Sequence, residues 1–276
     1  FLKSKWNYEP DDSLIIFERN GIGEGLAQIL TQTEKAIEYL KKNKPSFLLL
    51  QEIKTENKNF PYSELKEIGY DSEVHGQKSY NGVAIIYNKK INNINFNIIN
   101  DEQEQSRSIS VDINYKNELI KIICVYVPNG NPVDTDKYQY KIKWLKSFER
   151  FLVNQNKLKN KVIIGGDFNI IPNEVDVYNP EDWENDALYR IEIRKFFRKI
   201  LNEGYEDAFR LINKEPNNYT FWDYQYGSFE KNKGLRIDHF LLSKNISYLI
   251  KDVTIDKYLR ALERPSDHAP IKLTLA

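Results

Sequence analysis

The chain has 276 residues, 41% of them hydrophobic and 13% aromatic, which is enough to bury a large core, and we expect a single domain over residues 1–276. Forty basic and forty acidic side chains give a formal net charge of zero. This balance excludes attraction of nucleic acid by the whole-molecule charge and leaves that task to a local basic surface. The single cysteine, Cys124, excludes an intramolecular disulfide.

Targeting signals are not evident in the sequence. No apolar run approaches the roughly 20 residues of a membrane span, and the first residues lack the basic-then-apolar order of a secretory signal. We therefore expect a cytoplasmic protein, or a nuclear or organellar one in a eukaryote, without a membrane partner. The chain contains no methionine, position 1 included, so we expect the native initiator to lie elsewhere.

Short apolar segments rich in Ile, Val, Leu and Tyr dominate the chain. In chain order, the predicted strands cover 46–52, 81–88, 108–115, 119–128, 161–169, 236–243 and 271–276. Apolar residues at steps of three and four predict helices near 33–42, at 139–157 and at 191–201. The Asn- and Ile-rich segment 91–100 suits an edge strand or a surface loop. Because strands outnumber helices without alternating regularly with them, we predict an α/β (α+β) four-layered sandwich, two packed mixed sheets flanked by helices.

Acidic residues stand at the ends of several predicted strands. Glu52 and Asp167 close apolar runs, whereas Asp238 and the pair Asp267 and His268 precede apolar runs. Each acid alone is most simply a turn residue. Together, at one sheet edge, they would repel one another without a cation, and their hard oxygens suit Mg²⁺ or Mn²⁺ better than zinc. The set therefore predicts a divalent metal site.

Eight segments point to a known family by their order. They are LLLQEIKT at 48–55, HGQKSYNGVAII at 75–86, YVPNG at 126–130, GGDFNIIP at 165–172, DV at 176–177, YTFWDYQ at 219–225, GLRIDHFLLS at 234–243 and RPSDHAPI at 264–271. Many phosphoesterases share SDH or GDFN, whereas YTFWDYQ followed by GLRIDHFLLS is typical of repair enzymes. From about residue 45 onward the chain resembles the exonuclease III family of apurinic/apyrimidinic endonucleases, within the endonuclease/exonuclease/phosphatase superfamily.

The resemblance implies a set of metal ligands. Glu52 would be the main ligand, and Asp267 would contribute directly or through water. Asp167, Asn169 and Asn20 complete the set. Residues 1–33 match the family poorly, and in FERNGIG at 17–23 a glutamate, Glu18, stands where the family has asparagine.

The resemblance also implies the catalytic roles. Asp167 would activate or orient the attacking water, and Asn169 would donate to the phosphate, with Gly165 and Gly166 leaving room for the DNA to approach. His268 would donate to a nonbridging oxygen.

Asp238 would orient that histidine. Tyr126 would be either a phosphate ligand or the activator of the nucleophile, and Asn129 would contact the same phosphate region.

A flipped abasic sugar would enter an apolar pocket. The residues that match the pocket residues of the family are Phe221, Leu235 and Ile237, and Trp222 is adjacent. Ordinary core packing would explain the same aromatic residues. Lys78 and Arg236 are candidate DNA-backbone contacts, and Arg236 could equally be an ion-pair partner inside the protein.

The implied function is a Mg²⁺- or Mn²⁺-dependent DNA repair hydrolase that acts as a monomer. It would cut duplex DNA on the 5′ side of an abasic site in base excision repair, and act at blocked 3′ ends as a 3′ to 5′ exonuclease and 3′-phosphatase. One alternative is another phosphoesterase of the superfamily, of the sphingomyelinase or inositol-phosphate phosphatase type, which should lack the YTFWDYQ pocket. The other is a catalytically impaired DNA-binding relative, in which Glu18 would indicate the loss of catalytic function.

Overall fold

The computed structural model describes residues 11–18, 26–91, 94–99, 101–261 and 266–276, and only the backbone of residues 11–18, 26–33 and 261. Asn20 and its neighbours at 19–25 therefore lie outside the described residues. No helix in these ranges is long and apolar enough to cross a membrane.

The first sheet has six strands in the order β11-β12-β1-β2-β4-β3. Strands β1 and β2 run parallel, and every other neighbouring pair is antiparallel. The strands are β1 (Asp11–Glu18), β2 (Pro45–Gln51), β3 (Tyr70–His75), β4 (Val83–Asn88), β11 (Ile250–Ile255) and β12 (Ile271–Leu275).

The second sheet also has six strands, in the order β5-β6-β7-β8-β10-β9. Strands β7 and β8 run parallel and the remaining pairs are antiparallel. The strands are β5 (Asn95–Ile98), β6 (Ser108–Tyr115), β7 (Glu118–Tyr126), β8 (Lys161–Asp167), β9 (Tyr205–Asp207) and β10 (Asp238–Ser243).

The described helices pack outside the two sheets or join their strands. They are α1 (Leu26–Asn43), α2 (Tyr62–Glu67), α3 (Asp136–Lys157), α4 (Ile191–Asn202) and α5 (Ala208–Ile212), with short 3₁₀ turns at Asn57–Asn59, Glu174–Asp176, Pro180–Trp183, Ser247–Leu249 and Leu259–Ala261.

Alternation along the central strands builds three layers of core. Leu49 of β2 faces the other sheet, where it joins Ile122 and Cys124 of β7 in one buried cluster. The alternate residue Leu48 packs toward α1 and α2. Ile123, on the other face of β7, packs with α3 and α4. Because successive side chains of a strand point to opposite faces, each strand serves both an inner and an outer core, and the predicted four-layered sandwich is confirmed.

The pattern was less informative at the sheet edges. The edge strands β3, β9 and β11 were not predicted, and neither were the interior strand β1 and the short helices α2 and α5. The residues of β3 alternate between buried and half-buried, and the only buried residue of β11 is Val253. The segment 91–100 contains the edge strand β5, all four residues of which are exposed.

Candidate active site

The sheet topology brings the predicted acidic residues to one rim of the sandwich. Asp167 ends β8, and its register partners are Tyr126 at the end of β7 and Asp238 at the start of β10. Glu52 directly follows β2. Strands leaving the rim and strands entering it thus meet there, as the strand-end pattern predicts.

Asp167 is buried and held by one neighbour, Asn169. The backbone nitrogen and the side-chain Nδ2 of Asn169 each donate to Asp167 at 2.7 Å. Nδ2 also donates to the carbonyl oxygen of Val127 at 3.0 Å, and Asn169 Oδ1 accepts from Asn129 Nδ2 at 3.1 Å. Both amide hydrogens of Asn169 are therefore donated within the protein, and a phosphate contact requires one to be released. Asn129 is the exposed end of this chain of hydrogen bonds.

The backbone around these residues has left-handed conformations that L-residues rarely adopt. Asn169 has φ +47° and Glu52 has φ +51°. Such residues persist only where surrounding contacts fix them, and they concentrate at functional sites.

His268 is oriented by Asp238. Its Nδ1 lies 2.8 Å from Asp238 Oδ2, and since a carboxylate only accepts, Nδ1 carries the hydrogen. Asp238 is itself anchored through its backbone N–H, which donates to Thr220 Oγ1 at 3.1 Å, as does the N–H of Ile237. Sequence reasoning missed Thr220, although it lies within the quoted YTFWDYQ segment.

Glu52 links the two sheets. Its Oε1 accepts a hydrogen bond from the Tyr126 hydroxyl, and its Oε2 lies 3.0 Å from Lys54 Nζ. The Arg107 guanidinium stands over the Tyr126 ring, 5.0 Å from its centroid, and donates to the Tyr126 carbonyl at 3.2 Å. Two cations missed by sequence reasoning thus border the site. Lys54 lies in the QEIKT motif, whereas no sequence signal marks Arg107.

The electrostatics of the rim indicate crowded negative charge. Burial, and then the charge of Asp238, raise the pKa of Asp167, while His268 opposes this. Burial also raises the pKa of Asp267, to which the charge of Glu52 contributes. The five groups therefore sense one another's charge, which fits one common site.

Asp267 has the surroundings expected of a metal ligand. Its buried Oδ1 has no hydrogen-bond donor among the described residues, and the same holds for Asp238 Oδ1. Carboxylate oxygens without donors beside a second carboxylate fit a hard divalent cation. Within the described ranges, no three acidic, histidine or cysteine side chains are close enough to enclose a metal. The predicted ligand Asn20 lies outside those ranges.

The paired glycines have a different role from the predicted one. A Cβ on Gly165 would lie 2.6 Å from Leu49 Cδ1 of the facing sheet, and one on Gly166 would lie 1.9 Å from the Val125 carbonyl oxygen. The expectation that they leave room for DNA is wrong for Gly165, whose missing side chain makes room for core packing. Both glycines serve close packing of the protein itself.

The four predicted pocket residues divide into two groups. Phe221 is half-buried and packs edge-on against the His268 ring at 5.0 Å between centroids. Leu235, Ile237 and Trp222 are each at most 2% exposed. Trp222 packs with Tyr219 and Phe229 in a separate cluster. Only Phe221 is therefore placed to meet a sugar in this conformation, and core packing accounts for the other three.

The two predicted basic contacts also differ. Lys78 is exposed in the loop between β3 and β4. Arg236 is fully buried, with Nε 2.7 Å from Asp176 and Nη2 2.8 Å from Asp207. The expected DNA contact by Arg236 is therefore corrected to the ion-pair alternative, because a guanidinium enclosed by two carboxylates presents no surface to DNA.

Comparison with known proteins matches this geometry to one family. The model of the "Endonuclease/Exonuclease/phosphatase family" matches residues 24–268. The chain belongs to the endonuclease/exonuclease/phosphatase family. This family is divalent-metal-dependent.

Relatives within the family act on DNA. The chain is 32% identical over 241 residues to exodeoxyribonuclease III of Haemophilus influenzae, covering 84% of this chain and 90% of the relative. It is 33% identical to a DNA-(apurinic or apyrimidinic site) endonuclease of Dictyostelium discoideum, covering 85% of this chain and 64% of that longer protein. A 3′ phosphatase from Neisseria, solved with a product DNA hairpin, superimposes with a TM-score of 0.84 at 31% identity, covering 96% and 99% of the two chains. The resemblance to the exonuclease III family is confirmed.

Proposed function

We propose that this protein is a magnesium-dependent apurinic/apyrimidinic endonuclease that cuts duplex DNA on the 5′ side of an abasic site. The observation that carries the proposal is the convergence of Glu52, Asp167, Asp238 and His268 at one rim, in a chain whose relatives are named for action on DNA. The 3′ to 5′ exonuclease and 3′-phosphatase activities use the same site, because each of these reactions also breaks the bond between a phosphorus and a 3′ oxygen of DNA.

Glu52 and Asp267 would hold the ion, together with Asn20, and Mn²⁺ could substitute for Mg²⁺. The bound cation would supply Lewis acidity at a phosphate oxygen. Because Asp267 is a buried carboxylate whose Oδ1 has no hydrogen-bond donor among the described residues, its charge would be compensated by a cation.

The chain's own residues carry the remaining steps. Asp167 accepts a proton from the attacking water, a role suited to a carboxylate made more basic by burial and by the charge of Asp238, which raise its pKa. In protonated His268 both ring nitrogens bear hydrogen, so Nε2 donates to a nonbridging oxygen while Asp238 holds Nδ1.

The DNA around the scissile phosphate would meet four further residues of this chain. Asn129 is the exposed amide donor, and the Tyr126 hydroxyl, held by Glu52, faces the same region. Phe221, beside His268, provides an apolar wall for a sugar without a base. Lys78 contacts the DNA backbone from its exposed loop.

The decisive experiment is incision of a labelled duplex carrying one abasic analogue, with Mg²⁺ and with chelator. We expect a single cut that leaves a 3′-hydroxyl and a 5′-deoxyribose phosphate, lost when metal is removed. An otherwise identical duplex with an intact nucleotide is the control. Full cleavage in chelator would contradict the metal role. Cleavage of a choline phosphodiester or an inositol phosphate, with the abasic duplex left intact, would favour the other phosphoesterases.

A further inference from the structure

A buried lysine joins three loops beneath the candidate active site. Lys141 of α3 is 0% exposed. Its Nζ lies 2.9 Å from the carbonyl oxygen of Asn129, 2.7 Å from that of Asn169 and 2.9 Å from that of Ala187. A lysine ammonium has three N–H donors and no acceptor. Each donor therefore has a main-chain acceptor, and the acceptors come from the loops that follow β7, follow β8 and precede α4.

The loop after β7 is shaped around this side chain. Gly130 has φ +87°, and a Cβ at that position would lie 2.6 Å from Lys141 Cδ. Any other residue would strain this left-handed backbone and displace the lysine stem. The loop therefore fits closely around the lysine only because residue 130 is a glycine.

Two of the three acceptors belong to residues of the site. Asn129 and Asn169 are joined through their side chains at 3.1 Å, and Asn169 in turn holds Asp167. Asn169 has the rare φ of +47°, so contacts on both sides of its peptide are needed to keep it there. Asp167 supplies the contact to its N–H and Lys141 supplies the contact to its carbonyl.

We propose that Lys141 is a positioning residue for phosphodiester cleavage, fixing the backbones of Asn129 and Asn169 so that Asp167 meets the scissile phosphate in one geometry. The inference rests on the proposed function. The competing explanation is a purely structural tie, which would stabilise the fold and leave turnover of the folded enzyme unchanged. The sequence does not separate Lys141 from its exposed neighbours Lys143 and Lys146 in the same helix.

The first test replaces Lys141 by methionine, which keeps the length of the side chain and removes the donors. Single-turnover incision of the abasic duplex at saturating enzyme should slow about 100-fold, as expected for a misplacement near 1 Å. Affinity for uncleaved DNA should change by less than about threefold, because the ground-state contacts persist. Lys146→Met makes the same chemical change on the exposed face of α3 and should match the wild type in both measurements.

A second variant covers the case in which Lys141→Met does not fold because three buried carbonyls lack donors. Lys141→Arg retains donors and charge, but a planar fork cannot direct its hydrogens onto three converging oxygens. This variant should fold, and it should cut about 10-fold more slowly than the wild type at unchanged DNA affinity. The loss is smaller than for Lys141→Met because some of the hydrogen bonds to the loops are retained. Wild-type turnover by either folded variant would overturn the inference, as would a loss explained entirely by weaker DNA binding.

A double-mutant cycle separates positioning from a general weakening of the fold. In an Asn129→Ala background, Lys141→Met or Lys141→Arg should reduce the incision rate by a much smaller factor than it does in the wild type. The reason is that the Asn129 side chain, which Lys141 helps to position, is already absent. Additive losses would contradict positioning through Asn129. If wild-type protein fails to cut the abasic duplex, the proposed function fails; if it cuts and the lysine variants cut equally well, only this inference fails.

Discussion

At the residue scale, catalysis and stability compete at Asp167. This carboxyl and Asp238 are 2% and 1% exposed and are register partners across β8 and β10. Burial and the charge of Asp238 raise the pKa of Asp167. An acid whose pKa is higher in the folded than in the unfolded state costs stability increasingly as pH rises. In the proposed function, the site therefore keeps a proton acceptor at the expense of the stability of the fold.

Asp167→Asn should reveal this competition. We expect incision to fall to about 1% of wild type or less, since a general base is lost. In chelator the melting temperature of the variant, relative to that of the wild type, should rise as pH increases from about 5 to 8, because asparagine does not acquire the charge that costs the wild type stability. Incision assays and thermal unfolding measure the two effects.

Asp112→Asn is the matched control for Asp167→Asn. Asp112 is a partly exposed acid paired with Lys121, so incision should stay at the wild-type level. A difference in melting temperature between Asp167→Asn and the wild type that does not change with pH would contradict the competition at the site.

At the element scale, the start of β10 is fixed by buried ion pairs. Arg236 bridges Asp176 and Asp207, and Asp176 also pairs with Arg210. Burial alone would raise the pKa of Asp176, but Arg236 and then Arg210 outweigh it and lower the pKa to about 2. The segment that places Asp238 at the rim therefore depends on Arg236 and its carboxylate partners remaining charged.

Arg236→Met should destabilise the protein by about 3–5 kcal/mol, the cost of removing one partner from a buried ion pair. Urea unfolding measures this loss. Lys199→Ala removes an exposed ion pair with Glu149 and should change the stability much less than Arg236→Met does. A loss for Arg236→Met as small as that of the control would show that the buried pairs do not hold this segment.

At the scale of the whole molecule, acid sensitivity is expected from a buried neutral histidine. His239 Nδ1 lies 2.9 Å from an Arg236 nitrogen, which can only donate, so Nε2 carries the hydrogen toward the Ile170 carbonyl at 2.9 Å. Burial, and then the charge of Arg236, lower the pKa of His239 to about 4. Between that pH and about 6.5, His239 is protonated in the unfolded chain but not in the folded protein.

His239 should therefore lower the free energy of unfolding by up to about 3 kcal/mol as pH decreases from about 6.5 to 4, a contribution opposite in sign to that of Asp167. His239→Gln retains a donor for the Ile170 carbonyl and does not titrate, so on acidification through this window its unfolding free energy should decrease less than that of the wild type. Urea titrations at several pH values test this. His75→Gln, at a partly exposed histidine, is the control and should alter the pH dependence less. Equal slopes for wild type and His239→Gln would refute the assignment.

The sequence by itself determined the central architecture and the acidic rim. The predicted strand 108–115 coincides with β6, and it pairs with β7, the next strand along the chain. Amphipathic periodicity located α3 and α4 to within a few residues. These features follow from local alternation of apolar and polar side chains, which decides how a segment folds and where a strand ends.

Only the tertiary structure decided which polar and aromatic groups face the site. Arg236 and Phe221 lie in neighbouring motifs, yet one is enclosed by carboxylates and the other borders His268. Lys141 has exposed lysines nearby in sequence, and its three acceptors come from distant loops. The physical reason is that burial and hydrogen-bond partners at strand ends depend on pairing between segments far apart in the chain, which local periodicity does not encode.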